Sequence, residues 1–107
     1  MPIADVEPDP PTNLLRDEAL TSKTQVTFTW TAPANDGGDA LIGYSIEMDH
    51  DNDDVYIEVG SGSTLTSFTM TGMIEGSTYR FRVRAQNDIG YSTYSDVISI
   101  TAAIVPS

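Results

Sequence analysis

The sequence predicts an all-β fold, a sandwich or barrel of short antiparallel strands. Three observations predict it. Apolar and polar residues alternate with period two through several runs, most plainly in "TQVTFTWTAP" and "TYRFRVRAQN". Clusters of turn-forming residues, such as "ANDGGD" and "HDNDD", separate those runs. No window holds a sustained helical period and no internal repeat is visible. The chain has 107 residues, 39% of them hydrophobic and none of them cysteine. That is one domain's worth of chain, with core enough to hold without disulfides. Thiolate chemistry is excluded.

The elements follow in order. "EPDPP" favours extended, polyproline-like backbone and reads as a linker, so residues 1–9 are assigned to an N-terminal tail. Residues 10–103 are assigned to the domain and 104–107 to a second linker. In "TQVTFTWTAP", Val26, Phe28 and Trp30 share one face and Thr27, Thr29 and Thr31 the other, and Pro33 ends the strand. "LIGYSIEMD" directs Ile42, Tyr44, Ile46 and Met48 inward and Ser45, Glu47 and Asp49 outward. "HDNDD" is a polar turn, "VYIEV" a short strand and "GSGST" a flexible connection. "TSFTMTGM" turns Phe68 and Met70 to one face. "TYRFRVRAQN" is the clearest strand, with Tyr79, Phe81, Val83 and Ala85 inward. "DIGYST" is a loop. "YSDVISITA" is the last strand, with Ile98 and Ile100 inward.

The formal charge is −11. Thirteen acidic residues precede Ser61 against Arg16 and Lys23, and the remaining three acids balance three arginines. So negative a chain is a poor fit to nucleic acid, whose binders carry basic footprints. It fits an anionic membrane surface no better. "MPIADVEPDPPT" lacks the basic start and apolar run of a signal peptide. No stretch approaches the ~20 apolar residues of a membrane helix. No Asn-x-Ser/Thr site is present.

Taken in order, "PPTNL", "VTFTWTAP", "DGGDALIGYSIEM" and "TMTGMIEGSTYRFRVRAQNDIGYSTYS" resemble a fibronectin type III domain over about Pro10 to Ala102. The resemblance implies a seven-stranded, immunoglobulin-like sandwich, three strands packed on four, with Trp30 in the core. It implies that Tyr79 is a tyrosine-corner residue whose hydroxyl bonds back to nearby backbone. Glu75 stands where the family commonly has Pro, although Gly76 is kept. The core expected on these grounds is Trp30, Tyr44, Ile46, Phe68, Tyr79, Phe81 and Val83. The Arg-Gly-Asp motif that some family members carry in the loop after the sixth strand is absent.

Arg80, Arg82 and Arg84 alternate with that inward face and must point out. The resemblance sets their strand antiparallel beside "YSIEMD", so they are expected to partner its outward acids. A protein-contact surface of Arg80, Arg82, Arg84, Tyr91 and Tyr94 is the alternative. Tyr91 and Tyr94 either form an aromatic contact patch or, as is more usual, pack over the sheet edge. In "DHDNDD", Asp49, Asp51 and Asp53 have the spacing that opens a calcium loop, but Asp54 replaces its Gly and Gly60 its bidentate Glu. A solvated turn is the expectation, with weak Ca²⁺ binding as the alternative. His50, the one histidine, is expected to be exposed and without a role; without Cys it makes no typical zinc site. No serine triad, paired-carboxylate cleft or phosphate loop is visible.

The function expected is therefore a non-catalytic spacer or docking and adhesion module of a larger multidomain protein, with no cofactor. Its partner is another protein or a neighbouring domain, and the isolated domain is expected to be monomeric. The alternatives are a Ca²⁺-responsive module and an accessory module of a secreted enzyme. Family habit places such modules outside the cell or at its surface, and otherwise in the cytoskeleton.

Overall fold

Alternation of the kind just described cannot be satisfied by a single sheet in water, since each strand must bury one face. The computed structural model, which describes residues 5–17, 21, 23–50 and 54–102, solves this with two sheets. Its strands are β1 (Thr12–Arg16), β2 (Gln25–Thr31), β3 (Gly43–Asp49), β4 (Ile57–Ser63), β5 (Ser67–Thr71), β6 (Thr78–Gln86) and β7 (Ile98–Thr101). One sheet has the order β1-β2-β5 and the other β4-β3-β6-β7, with every pairing antiparallel.

Between the sheets lies one core. Trp30, Tyr44, Ile46, Tyr79, Phe81 and Val83 are buried there beside Val26, Phe28, Met48 and Ile100, while Phe68 is half-buried against them. Phe28 is its aromatic centre, with ring centroids 4.8 Å from Phe81, 5.6 Å from Trp30 and 6.1 Å from Phe68. Tilted and edge-on pairs of this kind add ~0.5–1.5 kcal/mol each beyond their buried area. The Tyr79 hydroxyl accepts the Ile74 N–H at 2.9 Å, which ties the turn before β6 to the strand.

Four expectations need correction. "GSGST" is not a connection: β4 continues through it to Ser63. A glycine is needed there, because a Cβ on Gly60 would lie 2.6 Å from the Phe68 ring. Ile42 precedes β3 and is exposed rather than inward; its N–H bonds the Gln86 carbonyl at 2.8 Å. The last strand begins only at Ile98, because the preceding Ser92 and Ser95 bond β6 partly through their side chains and not through a regular ladder. Residues 5–9 do not trail as a linker. Val6 and Asp9 donate to Gly37 and Asn35 at 2.9 and 3.0 Å, and Pro8 is buried.

Candidate functional site

The face of β6 that turns away from the core meets β3 in register. Arg80 stands opposite Asp49, Arg82 opposite Glu47 and Arg84 opposite Ser45. Two of the three pairs are therefore ionic. Arg82 brings Nε to 2.9 Å and Nη2 to 2.8 Å from Glu47 Oε1, and the Tyr94 hydroxyl donates to Oε2 at 2.8 Å. Arg80 Nη2 donates to Asp49 Oδ2, and also to Asp54 Oδ1 at 2.9 Å.

Aromatic rings complete the face. The Arg82 guanidinium lies between Tyr94, 3.7 Å from its ring centroid, and Tyr56, at 4.0 Å. Arg84 lies 3.9 Å from Tyr91 and 5.0 Å from Tyr94. The side chains thus stack as a ladder, Tyr56–Arg82–Tyr94–Arg84–Tyr91. Arg84 has Ser45 and not a carboxylate across from it in register, and its guanidinium lies over the tyrosine faces. Each such contact contributes ~0.5–1 kcal/mol when exposed and more when desolvated.

The ladder changes the character of β3. Its outward residues Ser45, Glu47 and Asp49 were expected to face solvent, as one face of a sandwich sheet usually does. They are instead 0%, 8% and 0% exposed. The physical reason is the cover above them: the Arg80 and Arg82 guanidinium groups and the Tyr94 hydroxyl turn onto Asp49 and Glu47, and the Tyr56 and Tyr94 rings stack on Arg82. Burial alone would push the Glu47 carboxyl up. The hydrogen bonds from Tyr94 and Arg82, with the charges of Arg82 and Arg84, outweigh it and hold the pKa below the ordinary carboxylate value. Burial, then the bond to Glu47 and its charge, push the Tyr94 phenol up.

What positions the tyrosines is the segment "YSTYS", Tyr91 to Ser95. Ser92 takes the Ala85 N–H on its Oγ at 2.8 Å and gives its own N–H to the Ala85 carbonyl at 2.7 Å. Ser95 does the same with Val83, at 3.0 and 2.7 Å. The segment pairs with β6 through serine side chains, so a regular strand ladder starts only beyond it. The three-residue repeat sets Tyr91 and Tyr94 on one side, over the arginines. Sequence reasoning named Tyr91 and Tyr94 but missed Tyr56, Ser92 and Ser95. The Tyr-Ser-x-Tyr-Ser repeat was the available signal.

Of the acidic turn, Asp51 and Asp53 lie outside the described residues. Asp49 points under the arginine face, and its Oδ2 accepts the Asp54 N–H at 2.9 Å as well as Arg80. Among the described residues no group of three or more His, Asp or Glu side chains converges on a point that could hold a metal ion. His50 is exposed and stacks on Tyr79 with ring centroids 4.9 Å apart. Among the described residues no helix is long and apolar enough to cross a membrane.

The chain matches the family model described as "Fibronectin type III domain" over residues 9–101. It is 35% identical over 82 residues to human "Fibronectin type-III domain-containing protein 3A", a match covering 77% of this chain and 7% of that protein. It is 32% identical over 89 residues to mouse "Protein sidekick-1", covering 82% of this chain and 4% of that one. A crystal structure of domains from titin superposes with a TM-score of 0.82 at 29% identity, covering 92% of this chain and 33% of the other. This chain therefore spans only a small fraction of the curated relatives it matches.

Proposed function

Because the chain belongs to the fibronectin type III domain family, we propose that it acts as a non-catalytic spacer and docking module within a longer, multidomain protein. One observation carries the reading. The groups best suited to capture a partner, the three arginines and the tyrosines beside them, are spent on one another and on Glu47 and Asp49. On this face Arg80 and Arg82 are ion-paired within the sheet and Arg84 is stacked on tyrosine rings, an arrangement that suits cross-strand support more than capture of a partner. The work left to such a module is to hold its neighbours apart and to present loops and edges. The absence of cysteine makes that work independent of redox compartment, so the reading applies at a cell surface and in a cytoskeletal array alike.

The test is a module exchange in the parent protein. This segment is replaced by an unrelated sandwich of the same length. A spacer tolerates the exchange and fails only on deletion. A specific docking role is lost on exchange as well. Full function after outright deletion would overturn both.

A further inference from the structure

Asn87 is 1% exposed, lies directly after β6, and makes four hydrogen bonds with one side chain. Its Nδ2 donates to the Val6 carbonyl at 2.7 Å and to the Asp36 carbonyl at 2.8 Å. Its Oδ1 accepts the Ile89 and Gly90 N–H groups at 2.9 and 3.1 Å. Three segments far apart in sequence are thereby joined: residues 5–9, the 35–38 loop and the 87–90 turn. The first two are also joined directly, through Val6 N–H to Gly37 and Asp9 N–H to Asn35. The approach is close. Gly37 has φ +81°, and a Cβ there would sit 2.0 Å from the Val6 carbonyl oxygen. The loop is braced in turn, since the Asn35 and Asp36 side chains accept the Gly37 and Gly38 N–H groups at 2.8 and 3.0 Å.

We infer that residues 5–9 form a strap, clasped by Asn87, that fixes the direction in which any preceding chain leaves the sandwich. The end of the sandwich that carries the 35–38 loop and the 87–90 turn is then braced by the strap. Asparagine suits the clasp because a short side chain must present two donors and an acceptor at once. Aspartate has the same shape but would aim an anionic oxygen at two carbonyls. The inference deepens the spacer reading and rests on it for its consequence alone. The strap itself is a property of this chain and is measured on it, whatever the module exchange gives.

The experiment is NMR on the isotope-labelled chain, reading residual dipolar couplings and amide exchange. In the native chain, the N–H couplings of Val6, Glu7 and Asp9 should fit the same alignment as the two sheets. The Val6 and Asp9 amides should exchange about tenfold or more slower than in an unstructured peptide. In Asn87→Asp those couplings should fall towards zero and the protection should vanish, while β3 and β6 amides keep theirs. Gly37→Ala attacks the same contact from the loop side and should do likewise. Native couplings near zero for the strap would overturn the inference. So would folded variants that leave the strap unchanged. If neither variant folds, the native couplings alone decide.

Discussion

Arg82 is gripped on three sides, by Glu47 at 2.8 Å and by two tyrosine rings at 3.7 and 4.0 Å. A planar guanidinium can meet a carboxylate with its edge and two rings with its faces; an ammonium cannot do both. Arg82→Lys keeps the charge and should still cost ~1–2 kcal/mol, the worth of a partly desolvated cation–π pair. Urea denaturation at neutral pH measures this, and an unchanged midpoint would mean the ladder contributes nothing. Glu47 gives the same face a pH dependence. Its folded pKa is lowered, so its contribution is present above the unfolded carboxylate value of ~4.3. That contribution is lost as pH falls through the folded value. Glu47→Gln should therefore be less stable than the native chain at neutral pH, and the gap should close in acid. A gap that stays constant with pH would show that Glu47 acts by packing alone. Asp49 bears on calcium. Its carboxylate is buried under Arg80 and the Asp54 amide, which removes it from any outward ligand set. Millimolar Ca²⁺ should raise the melting temperature no more than Mg²⁺ at equal concentration; a Ca²⁺-specific rise would revive the acidic turn as a site.

At the scale of elements, the segment from Tyr91 to Ser95 does the work of a strand without being one. Ser92 and Ser95 are both buried and supply the acceptors for the β6 amides of Ala85 and Val83. Replacing either serine with alanine leaves a buried N–H without that acceptor, which costs ~1–3 kcal/mol. Thermal melts of the two single variants and the double variant check this, and losses well below that range would show that water substitutes for the hydroxyls. The same segment explains what could be read in advance. Strands β2, β3 and β6 were legible because apolar and polar residues alternate strictly along each of them. That the arginines meet the acids of β3 was legible once the family resemblance set the two strands side by side; which arginine stands opposite which acid was not, because a two-residue slip would keep the same faces together. The extent of β4 was hidden, because "GSGS" carries no apolar alternation. Gly60 belongs to the strand because it pairs with Ile46 of β3, and it is a glycine where the Phe68 ring lies against its bare backbone. The burial of Ser45, Glu47 and Asp49 was hidden for a different reason. It depends on what lies over the strand, and that cover comes from Tyr56 and from the Tyr-Ser repeat, neither of which is a β3 neighbour in sequence. Asn87 left no trace in any pattern, since its four bonds run to three separate stretches of backbone.

For the whole molecule the dominant field is its own negative charge. All of the net −11 sits before Ser61, and the arginines that follow are matched by Glu75, Asp88 and Asp96 in number and by Asp49 and Glu47 in space. Asp5, Glu7, Asp9 and Asp36 lie on the strap or the loop it bonds, with Asp88 on the neighbouring turn. Like charges are thus drawn together where the strap closes, and the hydrogen bonds of Asn87 hold it shut against them. Self-repulsion of this kind destabilises a compact state and is relieved by screening. Raising NaCl from about 10 mM to about 150 mM shortens the Debye length from ~30 to ~8 Å, which damps repulsion among exposed carboxylates. The arginine–carboxylate contacts are partly buried and are screened much less. The melting temperature should therefore rise with salt, and equally for NaCl and KCl. Protection of the Val6 and Asp9 amides should rise with it, by more than that of β3. A fall in melting temperature with salt would mean that the ionic contacts of the arginine face outweigh the repulsion of the acidic half. The two would then be separable, because Arg82→Lys and Glu47→Gln should reduce the fall, while neutralising Asp5 or Glu7 should not.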